Sequence, residues 1–157
     1  MPPAFQSATD CVVDRATYTI RLVRDLDAPP TQVFEAWTKP EHISRWWDAT
    51  GAPLASCEMD VRPGGNFTFV SSSNPDHIFA GIYKTVEPPH RLVFDANGAE
   101  GRLILDPHGD GSRMTVEIAC GSAEMLDHYL EVGVEAGTGQ TLANLAAYLR
   151  ERETAAA

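Results

Sequence analysis

The chain has 157 residues, of which 43% are hydrophobic and 22% are charged. These values are typical of one globular domain that is long enough to bury most of its apolar surface. The formal net charge is −10, and the basic residues are scattered along the sequence rather than clustered. A surface of this kind repels phosphate groups, so we expect neither nucleic acids nor anionic membranes as partners.

The chain contains three cysteines, and their spacing matches no zinc or redox motif. Unpaired thiols are typical of a reducing compartment. The first residues lack the basic stretch and apolar core of a signal peptide, and no apolar run approaches the ~20 residues that span a bilayer. We therefore predict a cytoplasmic protein without membrane insertion.

The N-terminal third predicts a strand followed by two short helices. Residues 1–14 are irregular and fit either a loose tail or an added edge segment. Apolar and polar residues alternate over residues 16–27, which predicts a strand. Proline residues then end the strand, and a helix is predicted from Thr31. Pro40 interrupts it, and a second helix is predicted over residues 41–47, ending in two tryptophans.

The middle of the chain predicts strands only. Segments of about six to ten residues alternate between apolar and polar side chains, and glycine, proline or asparagine punctuates the turns between them. The spacing is typical of an antiparallel meander. The predicted strands are residues 56–61, 66–71, 78–86, 91–96, 101–106 and 112–120.

The last third predicts one amphipathic helix over residues 122–150. Ser122 is a predicted N-cap, and leucines recur at steps of three and four residues, which indicates one apolar face. Gly133, Gly137 and Gly139 interrupt this pattern, and each costs ~1 kcal/mol relative to alanine. We favour a continuous helix whose glycines allow tight packing or leave space for a ligand; a break between Gly133 and Gly139 is the alternative.

Four phrases in this order and spacing resemble a known family. They are VFEAWTKPEHISRWW, DVRPGGNFTF, GIYKTVEPPHRLVF and SRMTVEI, followed by the final helix. Together they resemble the family named for the activator of heat-shock protein 90 ATPase, within the START-like SRPBCC superfamily. The resemblance covers about residues 17–150.

The resemblance implies an α+β helix-grip fold. In this fold a seven-stranded antiparallel sheet curves around a long C-terminal helix, two short helices follow the first strand, and a cavity lies between sheet and helix. We divide the chain into an N-terminal extension (1–16), a START-like domain (17–152) and a frayed tail (153–157). Chaperone-activating members carry an additional N-terminal domain, and we expect this chain to be too short for one.

The cavity is the predicted site, and its predicted occupant is a hydrophobic or aromatic small molecule. Trp46 and Trp47 are adjacent, so their side chains point about 100° apart on a helix. We expect Trp46 to pack structurally and Trp47 to contact the ligand. Tyr83 is our candidate for the polar group that orients it. The full predicted set is Trp47, Phe67, Phe69, Tyr83, Phe94, Leu105, Met114, Val116, Leu130 and Val134.

Catalysis is an alternative to simple binding. A cyclase or dehydratase would use Tyr83, His128 or Glu131 as acid or base inside the cavity. The sequence contains no nucleophile motif and no phosphate-binding loop. His128 and Glu124 share a helix face without a third ligand, and His77 beside Asp76 is an equally weak pair, so we predict no metal, no cofactor and no catalytic residue.

Two partner hypotheses also stay open. The chain could act as an interaction module that stimulates a chaperone ATPase through an exposed apolar or charged patch. The sequence does not decide whether the chain forms a homodimer.

Overall fold

A computed structural model describes residues 10–48, 50–72, 76, 78–96 and 98–156, with side chains described through residue 152. The described chain forms an antiparallel sheet of eight strands in the order β1-β2-β8-β7-β6-β5-β4-β3. The strands are β1 (Asp10–Asp14), β2 (Thr19–Leu26), β3 (Leu54–Met59), β4 (Asn66–Ser71), β5 (Ile78–Glu87), β6 (Arg91–Ala96), β7 (Ala99–His108) and β8 (Gly111–Ala119).

In the described residues four helices accompany the sheet: α1 (Pro30–Thr38), α2 (Pro40–Ile43), α3 (Ala123–Glu131) and α4 (Val134–Ala156). Proline occupies the first turn of α1 and of α2, where its missing N–H is not needed. The predicted N-cap of the C-terminal region is confirmed, because Ser122 accepts a hydrogen bond from the Met125 backbone N–H. No helix in the described ranges is long and apolar enough to cross a membrane.

The predicted α+β helix-grip fold is confirmed, with one additional strand. The eighth strand is β1, which pairs antiparallel with β2 from Asp10 opposite Val23 to Asp14 opposite Thr19. Of the two interpretations of the N-terminal residues, the structure therefore shows the added edge segment rather than the loose tail over Asp10–Asp14. The division of the chain into extension, domain and tail stays a prediction.

The favoured prediction of one continuous C-terminal helix is wrong, and the structure shows the alternative, a break at the first of the three glycines. The helical segment is divided at Gly133, whose φ of +80° belongs to the left-handed region that favours glycine. Gly137 and Gly139 lie inside α4. A Cβ at either position would meet no atom within 4 Å. Tight packing therefore does not explain these two glycines, and the space beside them is open.

The second short helix is also shorter than predicted. It ends at Ile43, and the next three residues form a turn in which Arg45 and Trp46 donate backbone hydrogen bonds to His42 and Ile43, three residues back. This tighter winding brings Trp46 into the core, where it is fully buried and donates its Nε1–H to the Ala36 carbonyl oxygen at 3.2 Å.

The core lies between the sheet and the helices. Alternate residues of the central strands face inward, with Ile20, Leu103 and Met114 fully buried. Helix α4 contributes the leucines of its apolar face, of which Leu142 and Leu145 are buried. These contacts place α4 against the inward face of the sheet.

A hydrogen-bonded chain fixes the middle of α4 to the short helices. The His42 ring is 8% exposed, and its Nδ1 lies 2.6 Å from the Tyr148 hydroxyl. Its Nε2 lies 3.4 Å from a carboxylate oxygen of Glu35. The imidazole therefore connects α1, α2 and α4 at one point.

Charged residues form a cross-strand ladder in which each carboxylate has two cations as neighbours. Glu117 pairs with Arg21 at 2.9 Å and with Arg102 at 3.4 Å. Glu100 pairs with Arg102 at 2.6 Å and with Lys84 at 2.7 Å. The hydrogen bonds from Lys84 and then Arg102 lower the pKa of Glu100.

Candidate functional site

A cavity of about 790 Å³ lies between the sheet and the two C-terminal helices. Its size falls within the range of small-molecule sites, roughly 300–1,000 Å³. Strands β3 to β8 form one wall, and α3, α4 and the loop after α2 form the other. The lining residues are Trp37, Trp47, Asp48, Leu54, Phe69, Ser71, Phe79, Phe94, Ala96, Ala99, Gly101, Val116, Glu117, Ile118, Met125, His128, Tyr129, Val132, Val134, Gly137, Thr138, Thr141 and Leu142.

Aromatic rings dominate one end of the cavity. The centroid of the Trp47 ring lies 5.2 Å from that of Phe69 and 5.2 Å from that of Phe79. Trp37 meets the same tryptophan edge-on at 6.0 Å. Edge-to-face and tilted contacts at these distances are favourable and hold the rings in fixed orientations. The cavity therefore presents a preformed aromatic wall.

Glycines opposite two phenylalanines allow these rings to lie across neighbouring strands. Phe94 is registered against Gly101, and a Cβ at Gly101 would overlap the Phe94 ring. Phe67 is registered against Gly81, where a Cβ would come within 2.7 Å of the ring. A side chain at either glycine would displace an aromatic ring from its place on the sheet.

The break between α3 and α4 lies at the edge of the cavity. Val132 lines it and is 61% exposed, although it is a large apolar residue. Met125 and Tyr129 of α3 line the same region, and Val134 begins α4. The positive φ of Gly133 lets the chain change direction here, so the cavity is bounded by two helices rather than one.

Helix α4 forms its side of the cavity with small and hydroxyl-bearing residues. Gly137, Thr138 and Thr141 lie within one turn of the helix and all line the cavity. The Thr141 hydroxyl lies 3.1 Å from the Gly137 carbonyl oxygen and 3.2 Å from that of Trp47, so it donates to the protein backbone. The missing side chain at Gly137 leaves room that a larger residue would occupy.

A hydrogen-bonded loop holds the Trp47 backbone against α4. The Asn144 side chain donates to the Asp48 carbonyl oxygen at 3.0 Å. The Asp48 carboxylate accepts hydrogen bonds from the Ser71 hydroxyl at 2.7 Å and from the Thr50 hydroxyl at 2.8 Å. These bonds join the loop to β4 and α4, and they fix the position of the aromatic wall.

Five of the ten predicted site residues line this cavity. They come from the loop after α2, from three strands and from α4, so the fold brings together residues far apart in sequence. The five are Trp47, Phe69, Phe94, Val116 and Val134.

The other five predicted residues lie elsewhere. Phe67 and Tyr83 line a separate gap of only about 10 Å³ beside the aromatic wall. Leu105 and Met114 are fully buried in the core. Leu130 is partly buried and packs against the core. None of these five is among the residues that line the large cavity.

Tyr83 was predicted to orient a ligand, but the structure places it behind the aromatic wall. It is 3% exposed, and burial raises its pKa. The phenol is therefore neutral at ordinary pH. Its ring lies 5.0 Å from that of Phe67. In this position Tyr83 contributes to packing beside the cavity.

Several lining residues were missed by the sequence reasoning. Phe79 shares the inward face of β5 with Tyr83, so the alternation of that strand could have identified it. Trp37 of α1 is 4% exposed and also lines the cavity. Thr141 had no signal of its own, since a threonine within a helix is common.

The acid and base candidates are scattered. His128 lines the cavity but is an exposed residue, and Glu131 is exposed and is not among the lining residues. The part of the chain that the structure describes contains no group of three or more His, Cys, Asp or Glu residues able to hold a metal ion. His77 lies outside the described residues.

An antiparallel sheet with a long C-terminal helix against its inward face, and a cavity between them, defines the helix-grip class. Solved structures share this fold. Protein Ms6760 from Mycobacterium smegmatis is 22% identical with a TM-score of 0.78, covering 92% of this chain and 98% of that one. A Nitrosomonas europaea protein is 23% identical with a TM-score of 0.79, covering 87% and 96%.

A more similar sequence is that of CalU16 from Micromonospora echinospora, whose crystal structure is 30% identical with a TM-score of 0.66. The match covers 91% of this chain and 84% of CalU16. The family model described as "Activator of Hsp90 ATPase homolog 1-like protein" matches residues 27–150. The chain therefore belongs to this family, as its motifs indicated. A search of the curated proteins gave no match.

Proposed function

We propose that the protein binds a hydrophobic or aromatic small molecule in the cavity between α4 and the sheet. The observation that carries this proposal is the cavity itself, about 790 Å³ between the sheet and the C-terminal helices. A preformed space of this size, lined mainly by aromatic and aliphatic side chains, is typical of a ligand site.

The chemistry of the lining supports binding by burial of apolar surface. A three-ring aromatic that buries about 300 Å² of apolar area would gain roughly 7 kcal/mol before the costs of association, which are at least ~4 kcal/mol. Fixed rings such as Trp47 and Phe69 require little ordering when the ligand arrives. Affinity in this account comes mainly from shape and area, and the few polar groups set the orientation.

The enzyme alternative receives less support from the geometry. A general acid or base needs a pKa near the working pH and a position beside the substrate. Burial moves the pKa of Tyr83 away from neutrality, and Tyr83 and Glu131 are not among the lining residues of the large cavity. Only His128 of the three candidates lines it. The chaperone alternative stays a prediction.

A ligand screen with matched variants tests the proposal. The wild-type chain is screened by thermal shift and native mass spectrometry against flavonoids, polyketide-like aromatics and lipids. Gly137→Leu places a side chain in the cavity wall. Gly139→Leu makes the same change at a helical position that is not among the cavity-lining residues. We expect hits to stabilise wild type and Gly139→Leu, and to lose their effect on Gly137→Leu. A screen without any stabilised complex would remove the proposal.

A further inference from the structure

The charge that the cavity lining carries has one sign. Asp48 is a lining residue, whereas none of the described lining residues is lysine or arginine. Glu117 also belongs to the lining, but it lies between the inward-facing Val116 and Ile118 of β8, so its side chain points to the opposite face of the sheet, where it pairs with Arg21 and Arg102. His128 is the one imidazole among the described lining residues. The described wall that a ligand would contact therefore carries the Asp48 carboxylate and no lysine or arginine charge.

The arginines of the neighbouring strands do not bring their charge to the cavity lining. Arg21 and Arg102 both pair with Glu117 in the cross-strand ladder. Arg24 faces inward from β2 and is 8% exposed, but it is not a lining residue, and burial followed by the charge of Arg150 lowers its pKa. An anionic ligand would thus enter a cavity in which none of the described lining side chains brings a lysine or arginine charge to it.

Three of the neutral donors in the lining do not replace the missing cation. The Thr141 hydroxyl donates its hydrogen to backbone carbonyls, and the Ser71 hydroxyl donates to the Asp48 carboxylate. The Trp37 Nε1 is covered by protein atoms, so its N–H is not presented to the cavity. These three groups therefore offer no free donor to a carboxylate or phosphate in the cavity.

Burial of an ionised group without a partner costs several kcal/mol, whereas burial of a neutral aromatic ring is favourable. We propose that the cavity selects uncharged, flat aromatic molecules and rejects those that carry a carboxylate, sulfate or phosphate. This inference rests on the proposed function and specifies the ligand class for the same site. Fatty acids and acyl phosphates fall outside that class.

The test compares two probes that differ mainly in charge. Binding of anthracenecarboxylate and of its methyl ester is measured by fluorescence anisotropy at pH 8, where an ordinary imidazole is neutral. The expected result is that wild type binds the ester at least about tenfold more tightly than the acid, a difference of about 1.4 kcal/mol. Equal or tighter binding of the carboxylate overturns the inference while leaving the proposed function in place.

A charge-introducing variant gives an independent reading. Thr138→Lys places an ammonium group on the cavity wall, and Thr138→Gln is the uncharged control of similar length. We expect the lysine variant to gain at least about tenfold in affinity for the carboxylate, with ester binding within about threefold of the glutamine control. No gain for the carboxylate, with both variants folded by near-ultraviolet circular dichroism, overturns the inference. Failure of both probes to bind wild type overturns the proposed function, and with it this inference.

Discussion

Gly133 and Gly137 lie one helical turn apart but have different backbone conformations. Replacing each with alanine should therefore change the free energy of unfolding in opposite directions. Gly137 is inside α4, where its N–H donates to the Gly133 carbonyl oxygen at 3.0 Å, and a Cβ there would meet no atom within 4 Å. Gly133 has a φ of +80°, which an alanine adopts only with strain.

The expected magnitudes follow from these two environments. Gly137→Ala replaces a helix-interior glycine at no steric cost, so the free energy of unfolding should rise by about 1 kcal/mol. Gly133→Ala should lower it by about 1–2 kcal/mol, because the left-handed conformation penalises a Cβ. For a chain of this length, 1 kcal/mol corresponds to a shift of about 2–4 °C in Tm.

Urea unfolding of wild type and the two variants, followed by far-ultraviolet circular dichroism, measures both changes at constant slope. Opposite signs support a helix that is divided at Gly133 and continuous through Gly137. Stabilisation by alanine at both positions would show that the helix runs unbroken through Gly133. Destabilisation by Gly137→Ala would show that the wall beside it is packed rather than open.

Three further predictions concern the site, the helix contact and the charge ladder. Trp47→Ala should weaken ligand binding with a modest loss of stability, whereas Trp46→Ala should lower the free energy of unfolding by about 3–5 kcal/mol because that ring is fully buried. Calorimetry measures the loss of stability and ligand titration measures the loss of binding. Equal outcomes for the two variants would contradict the assigned positions of the two rings. His42→Ala should lower the free energy of unfolding by about 1–3 kcal/mol by leaving a part-buried Tyr148 hydroxyl without its ring partner. Tyr148→Phe, which removes the hydroxyl and leaves the His42 ring in place, serves as comparison in the same urea series. An unchanged midpoint for His42→Ala would show that the contact is not formed. The lowered pKa of Glu100 implies a contribution to stability that is present above the ordinary glutamate pKa of 4.5 and is lost as the pH falls through the lower pKa of the folded state. Glu100→Gln should therefore flatten the acid side of the plot of unfolding free energy against pH. An identical slope in the variant would contradict this.

The strands were predictable because two local signals mark the same segments: inward-facing apolar residues at every second position, and turn-forming residues at both ends. The bounds of β4 and β6 coincide with the predicted ones, since Phe67 and Phe69, and likewise Leu92 and Phe94, recur at every second position between clear turn residues. Local signals and tertiary packing point the same way in these segments, so the sequence pattern alone was sufficient.

The helix break was harder to place because three glycines stand within seven residues of each other. Each could adopt a positive φ, and helical periodicity does not say which one does. The decision depends on how α3 and α4 each pack on the sheet, which is a property of the whole fold. The early end of α2 has the same origin, because burial of Trp46 draws the following turn into tighter winding.

The cavity residues were only half predictable for a geometric reason. Leu105 and Phe69 both lie on the inward faces of strands, and their alternation patterns are alike. One is buried under packed side chains and the other faces open space, because the helices cover only part of the sheet. Sequence periodicity identifies the inward face, but the position of a residue along its strand relative to α4 decides whether it meets the core or the cavity.

The most direct test of the proposed binding site is a crystal structure of the chain with the methyl ester of anthracenecarboxylate bound. We expect density for the three-ring system between α4 and the sheet, in contact with Trp47 and Val134. Density at another surface, or a cavity filled by rearranged side chains with no ring system inside, would contradict it.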